Sequence, residues 1–145
     1  SDYTSLSWSP DGTRIVFEDW DDPYVYVVDV DGKDYMKLSG YGSNPTWSPD
    51  GTKIAFDSGW EHEGHEEIYL VNADGSNLRQ LTDNGNIDDS YPTWSPDGTR
   101  IAFISGSSNS GDIYIFNIDG SGLRNLTNNS SRYDAWYNWI GWSPH

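Results

Sequence analysis

The stretch Trp8-Ser9-Pro10-Asp11-Gly12-Thr13-Arg14-Ile15-Val16-Phe17 occurs three times in the chain. It returns as Trp47-Ser48-Pro49-Asp50-Gly51-Thr52-Lys53-Ile54-Ala55-Phe56 and as Trp94-Ser95-Pro96-Asp97-Gly98-Thr99-Arg100-Ile101-Ala102-Phe103. A further Trp142-Ser143-Pro144 opens a fourth copy. The tryptophans are spaced by 47 − 8 = 39, 94 − 47 = 47 and 142 − 94 = 48 residues. A near-identical unit at such a period is the mark of a repeat architecture. Within the unit, Ser-Pro-Asp-Gly reads as a tight turn. Proline presets φ at its second position, aspartate tolerates the third, and glycine accepts positive φ at the fourth. The β-branched and aromatic residues on either side make it a hairpin, with one strand ending at the tryptophan and the next returning over residues 13–17.

Each unit holds a second hairpin. Its first strand is expected at 24–30, 68–72 and 113–117. The turns are Asp29-Val30-Asp31-Gly32, Asn72-Ala73-Asp74-Gly75 and Asn117-Ile118-Asp119-Gly120, closed by Asp-Gly each time. A tyrosine stands six residues before each turn glycine (Tyr26, Tyr69, Tyr114), and a leucine six after it (Leu38, Leu81, Leu126). Every unit is therefore four short antiparallel strands, A to D, which is the pattern of a propeller blade. The chain reads as all-β. It has blade 1 at about 3–39, blade 2 at about 43–82, blade 3 at about 90–127, and an extra strand at about 137–142.

Trp-Ser-Pro-Asp-Gly followed by Lys/Arg-Ile-Ala-Phe, together with Ile-Tyr-x-x-[Asn/Asp]-x-Asp-Gly, resembles the TolB-like, WD-type β-propeller repeat family. Units two and three fit throughout, as in Glu67-Ile68-Tyr69-Leu70-Val71-Asn72-Ala73-Asp74-Gly75 with Leu81-Thr82. Unit one departs, with Val25 before Tyr26 and Ser39 in place of the threonine. The resemblance covers nearly the whole chain and is specific for fold, not activity. It implies an exported setting, periplasmic or extracellular, and protein partners. The family's namesake binds an outer-membrane lipoprotein, and similar repeats form the substrate-gating domain of prolyl-oligopeptidase-type enzymes. Closed propellers typically have about 4–8 blades, and three leave two outer faces bare. If each leaves about 400 Å² of apolar surface, the loss is about 10 kcal/mol per face. That rivals the stability of a whole domain. The chain is thus expected either to assemble, most simply as a homodimer of six blades, or to be a piece of a longer protein.

The composition narrows the function classes. A net charge of −15 leaves no basic patch for nucleic acid. No stretch approaches the roughly 20 apolar residues of a membrane helix, and no N-terminal apolar leader region is present. The absence of cysteine excludes disulfides and thiolate metal sites. The A–B turn and the interval from the C–D glycine to the following leucine are constant, so all length variation falls in loops B–C and D–A. These lie together on one rim, and variable loops on a constant scaffold are where binding is usually built.

That rim holds Glu18, Asp19, Asp21, Asp22, Asp57, Glu61, Glu63, Glu66, Glu67, Asp83, Asp88, Asp89, Asp112 and Asp134 against the single base Arg132. Of 23 acids and 8 bases, nine acids and seven bases remain elsewhere. Aromatic residues Trp20, Trp60, Tyr91, Tyr133 and Trp136 stand among the rim acids. A negative field with aromatic anchors suits a basic protein surface. The binding candidates are Asp19, Trp20, Asp21, Asp22, Trp60, Glu61, Asp88, Asp89, Tyr91, Tyr133 and Trp136. The alternative is a solvated rim that aids solubility alone.

Catalysis finds little footing. There is no Gly-x-Ser-x-Gly elbow. His62 and His65 are the candidate transition-metal pair. Asp19, Asp21 and Asp22 are the candidate calcium donors, but the further ligands of a calcium loop are missing, so only weak calcium binding is expected. No other cofactor is expected. The reading is a non-catalytic scaffold for protein–protein interaction. The alternatives are a carbohydrate-binding or lyase-type propeller, using the rim aromatics to stack on sugars, and an accessory propeller piece of a larger hydrolase.

Overall fold

The computed structural model describes residues 5–19, 21–22, 24–58, 65–106 and 111–128. Twelve strands form three four-stranded antiparallel sheets in chain order. Blade 1 comprises β1 (Leu6–Trp8), β2 (Arg14–Glu18), β3 (Tyr24–Asp29) and β4 (Tyr35–Tyr41). Blade 2 comprises β5 (Ser43–Trp47), β6 (Lys53–Ser58), β7 (Glu67–Asn72) and β8 (Arg79–Gln80). Blade 3 comprises β9 (Asp89–Trp94), β10 (Arg100–Ser105), β11 (Asp112–Asn117) and β12 (Arg124–Asn125). The innermost strands of successive blades are neighbours: β1 lies beside β5, and β5 beside β9. Among the described residues no helix is long and apolar enough to cross a membrane. The extra strand expected at 137–142 lies outside the described residues.

The A–B turn is built three times by the same chemistry. Gly12, Gly51 and Gly98 take φ of +70°, +69° and +68° and donate their N–H groups to Ser9, Ser48 and Ser95. The aspartate before each glycine does more than tolerate the turn. Asp11 accepts from the Ser9 hydroxyl at 2.6 Å and from the Thr13 N–H and hydroxyl at 3.0 and 2.8 Å. Asp50 and Asp97 repeat the set. The Ser9 hydroxyl, followed by the Thr13 groups, holds the Asp11 carboxyl down at about 2.

Alternation along β2, β6 and β10 gives each blade two apolar faces. The front face carries the tryptophan, as in Trp47, Ile54, Phe56 and Val71. The back face of the preceding blade, Val16, Val25, Val27 and Leu38, closes over it. The next junction repeats this, with Ala55, Ile68 and Leu70 against Trp94, Ile101, Phe103 and Phe116. Smaller contacts follow the same period. Pro10 meets Gly51 and Pro49 meets Gly98, each 3.6 Å from where a β-carbon would stand. Arg14 lies over the Trp47 ring at 4.7 Å. The Trp94 indole N–H donates to the Thr46 carbonyl at 3.2 Å, whereas the buried Trp47 indole N–H has no partner among the described residues.

The sheets depart from the expected blades in their last strands. β8 and β12 stop short of Leu81 and Leu126, while β4 runs through Leu38 to Tyr41. β7 and β11 each begin one residue earlier than expected, at Glu67 and Asp112.

Candidate functional site

Two recurring devices build the rim, and both use carboxylates. The first ties blade to blade. The residue three before Trp47 and Trp94 is Asn44 and Tyr91, each left-handed at φ 52° and 57°. That conformation turns the N–H out of the strand. The Asn44 N–H donates to Glu18 at 3.1 Å, and the Tyr91 N–H to Asp57 at 2.8 Å. Glu18 and Asp57 both stand ten residues after the tryptophan of the preceding blade. The Asn44 side-chain amide also donates to Asp57, at 2.9 Å.

The second device closes the blade edge. Thr82 donates its hydroxyl to Glu67 at 2.5 Å and accepts the Ile68 N–H. Thr127 does the same between Asp112 and Ile113. Blade 1 has Tyr24 and Ser39 at these positions, and Tyr24 stacks on Tyr41 with ring centroids 4.4 Å apart.

These roles divide the acids that the sequence places together. Asp57 is 1% exposed, and burial pushes its carboxyl up to about 8 against the lowering pull of Tyr91 N–H and Asn44. Glu67 and Asp89 are also buried and raised by desolvation. Asp89 is held by the Asn84 amide at 3.0 and 2.9 Å. Thus Glu18, Asp57, Glu67, Asp89 and Asp112 hold the scaffold, and the candidate binding residue Asp89 is one of them.

Asp19, Asp21, Asp22, Asp83 and Asp88 face outward to differing degrees. Asp19 accepts the Asp21 N–H at 3.0 Å. Asp22 accepts from the Tyr26 hydroxyl at 2.5 Å and lies 3.5 Å from the Lys37 ammonium. Asp88 pairs with His65 at 2.9 Å and accepts the Glu66 N–H at 3.2 Å. Tyr91 is half-buried, and burial, with the charges of Asp57, Glu66 and Glu18, raises its hydroxyl pKa. Trp20, Trp60, Glu61, His62, Tyr133 and Trp136 lie outside the described residues.

The ring partner of His65 among the described residues is a carboxylate, not a nucleophile. Among the described residues no three His, Asp or Glu side chains gather to hold a metal ion. The left-handed Asn44 and Tyr91 went unnoticed in the sequence. The signal was present in Asn44-Pro45-Thr46-Trp47 and Tyr91-Pro92-Thr93-Trp94, each matched to an acid ten residues past the preceding tryptophan.

The model of the TolB beta propeller domain matches residues 2–143. Among solved structures, a TolB from Agrobacterium tumefaciens is 27% identical, with a TM-score of 0.72 over 86% of this chain and 48% of that one. TolB from Acinetobacter baumannii is 24% identical, with a TM-score of 0.71 over 86% of this chain and 32% of that one. An oligogalacturonate lyase from Vibrio parahaemolyticus shares the fold at 19% identity, with a TM-score of 0.62 over 85% of this chain and 40% of that one. The chain spans about half the length of the first of these proteins and about a third of the second.

Proposed function

Since the chain belongs to the TolB β-propeller domain family, we propose that it is a non-catalytic binding scaffold in an exported setting, periplasmic or extracellular. It engages a protein partner of basic surface through the B–C and D–A rim. Its three blades work within a closed ring, completed as six blades by a second copy. One observation carries the binding reading. After the scaffold acids are set aside, the rim still presents Asp19, Asp21, Asp83 and Asp88 toward solvent to differing degrees. The loops at 19–23, 59–66, 81–88 and 106–111 contain no lysine or arginine, and Arg132 is the base in the segment that follows blade 3. Such a field speeds encounter with a cationic surface and weakens with salt.

Calcium binding at Asp19, Asp21 and Asp22 stays weak in this reading, because Asp22 is already engaged by Tyr26 and Lys37. A lyase-type or carbohydrate-binding role has the likeness to the Vibrio enzyme behind it, and at that identity the likeness supports the fold alone.

The test is binding of a lysine-rich peptide followed by surface plasmon resonance across a salt series. Affinity should fall steeply with ionic strength. Asp19→Asn, Asp21→Asn and Asp22→Asn together should slow association more than they speed dissociation. Salt-independent binding, or binding that maps to the Ser-Pro-Asp-Gly turns, would overturn the choice of face.

A further inference from the structure

Seven steps in the chain place an aspartate or asparagine directly before a glycine. Six are the Asp-Gly steps of the hairpin turns, and the seventh is Asn84-Gly85. At such a step the glycine nitrogen can reach the side-chain carbonyl carbon of the residue before it, because glycine has no side chain to block the approach. What separates the seven is the group attacked. Each of the six aspartates accepts the N–H two residues on. Hydrogen bonds to their side chains hold all six carboxyls below the ordinary range. They are anions, and an anion repels a nucleophile. Asn84 offers a neutral amide.

The surroundings of Asn84 leave the reaction open and give it a consequence. It lies in the segment between β8 and β9, where residues 83–87 are all exposed. Gly85 takes φ of +86°, and among the described residues no atom stands within 4 Å of where its β-carbon would be. The Asn84 amide nitrogen donates to both carboxyl oxygens of Asp89 at 3.0 and 2.9 Å and reaches the Ser105 hydroxyl at 3.4 Å. Asp89 is 0% exposed. The amide is thus the latch between an exposed loop and the buried first residue of β9.

We propose that Asn84 converts without an enzyme to aspartate and isoaspartate, through a ring closed on the Gly85 nitrogen, and that the change frees segment 82–88 from blade 3. The Gly85 nitrogen gives up its proton and bonds to Asn84 Cγ. The Cγ–Nδ2 bond breaks, and Nδ2 leaves as ammonia with a proton in place of the one given up. Water then opens the five-membered imide. Attack at Cγ restores the ordinary backbone with a carboxylate side chain, and attack at the main-chain carbonyl routes the backbone through the side chain as isoaspartate. One water is consumed, one ammonia is released, and nothing is oxidised. The latch must part for the ring to close, so the rate follows how often the loop opens.

Either product puts a carboxylate where an amide donor stood. Buried Asp89 loses its donor, and two carboxylates at hydrogen-bond distance disfavour each other's charge. The same segment carries Asp88, which holds His65 and the Glu66 N–H, so the B–C loop of blade 2 loosens with it. The rim gains a negative charge and loses a fixed loop. This goes beyond the proposed function and holds for any occupant of that rim.

The test is to hold the intact chain at neutral and at mildly alkaline pH and to map the tryptic peptide Gln80–Arg100 by mass spectrometry. Asn86 lies in the same peptide and the same exposed segment. It precedes Ile87, whose β-branch crowds the nitrogen that would attack, so it serves as the internal control. A gain of one dalton is expected at Asn84, an order of magnitude faster than at Asn86, quicker in alkali and with isoaspartate the larger share. Asn84→Gln, which needs a less favourable six-membered ring, should show no such gain. Hydrogen exchange reads the consequence. Residues 82–89 of the aged protein and of Asn84→Asp should exchange about tenfold faster than in fresh wild type, as expected when a buried acceptor loses its partner. Circular dichroism should stay unchanged. An Asn84 that stays intact in the folded chain while a urea-unfolded sample reacts would overturn the proposal, because the latch would then protect the site. Reaction at Asn84 with exchange unchanged would overturn the release of the loop.

Discussion

Blade 1 and blade 2 carry almost the same ten residues, yet the environments of those residues are opposite. Trp47, Ile54 and Phe56 are sealed, while Trp8 is largely in water and Ile15 and Phe17 are only half-buried. The turns that precede these strands are the same hydrogen bond for hydrogen bond. Local chemistry thus folds the hairpin wherever it occurs, and the neighbouring blade decides what the tryptophan contributes. In a repeat architecture, stability is close to a sum of unit and junction terms. Blade 1 has one junction and blade 2 has two.

The largest expected effect follows directly. Trp47→Ala should destabilise the chain by about 3–5 kcal/mol, because it empties a packed junction. Trp8→Ala should change stability by about 0.5 kcal/mol or less when measured where the chain is monomeric, as an exposed surface substitution does. Urea unfolding of the two variants at low micromolar concentration checks the contrast. Equal losses would show that the tryptophan acts within its own blade and that the junction is not what seals it.

A smaller effect concerns the carboxylate that ties blade 2 to blade 3. Asp57 has a folded-state pKa of about 8, raised by burial, against about 4 in an unfolded chain. Between these values the folded state holds the proton more tightly. Stability from this group is therefore full below pH ~4 and is lost as pH rises through about 8. Glu67 and Asp89 are shifted upward and act in the same direction. Asp11 and Asp97 are lowered to about 2, and their contribution is lost only as pH falls through that value. Asp57→Asn keeps an acceptor for the Tyr91 N–H and the Asn44 amide but removes the proton. Its melting temperature should decline less than that of wild type between pH 5 and pH 8. An unchanged slope would mean that Asp57 does not carry the linkage. The comparison with blade 1 sharpens here too, since the equivalent Glu18 is only half-buried at its junction.

Legibility in the sequence followed the period of the information. The turns, the four-strand unit and the blade order were legible because each rests on a few adjacent residues repeated three times. The rim was legible only as charge. Glu67 and Asp112 read as loop acids because each stands just before the Ile-Tyr pair, and their threonine partners lie 15 residues away. Asp57 read as a surface acid because its partner is the backbone of Tyr91, 34 residues on. Carboxylates that serve structure and those that face a partner look alike in composition. What separates them is a hydrogen bond across a long interval of chain. The inner-strand left-handed residues were missed for the same reason. A tyrosine at φ 57° is stabilised by the carboxylate it meets, not by its own preference.

The smallest effect isolates the local half of the comparison. Gly12, Gly51 and Gly98 share one backbone conformation, with φ between +68° and +70°. A β-carbon there meets the left-handed penalty whatever surrounds it. Their neighbours differ: Gly51 and Gly98 have a proline ring at ordinary contact distance, and Gly12 has nothing within 4 Å among the described residues. Gly12→Ala, Gly51→Ala and Gly98→Ala should therefore each destabilise by about 1 kcal/mol, or roughly 3 °C in melting temperature, and should agree with one another to within a few tenths of a kcal/mol. This is the reverse of the tryptophan series, where position in the array decides the loss. Calorimetry of the three variants gives the answer. If Gly12→Ala proved neutral while the other two lost stability, the penalty would lie in the proline contact. The turn would then draw its stability from the junction, as the tryptophan does, rather than from its own backbone.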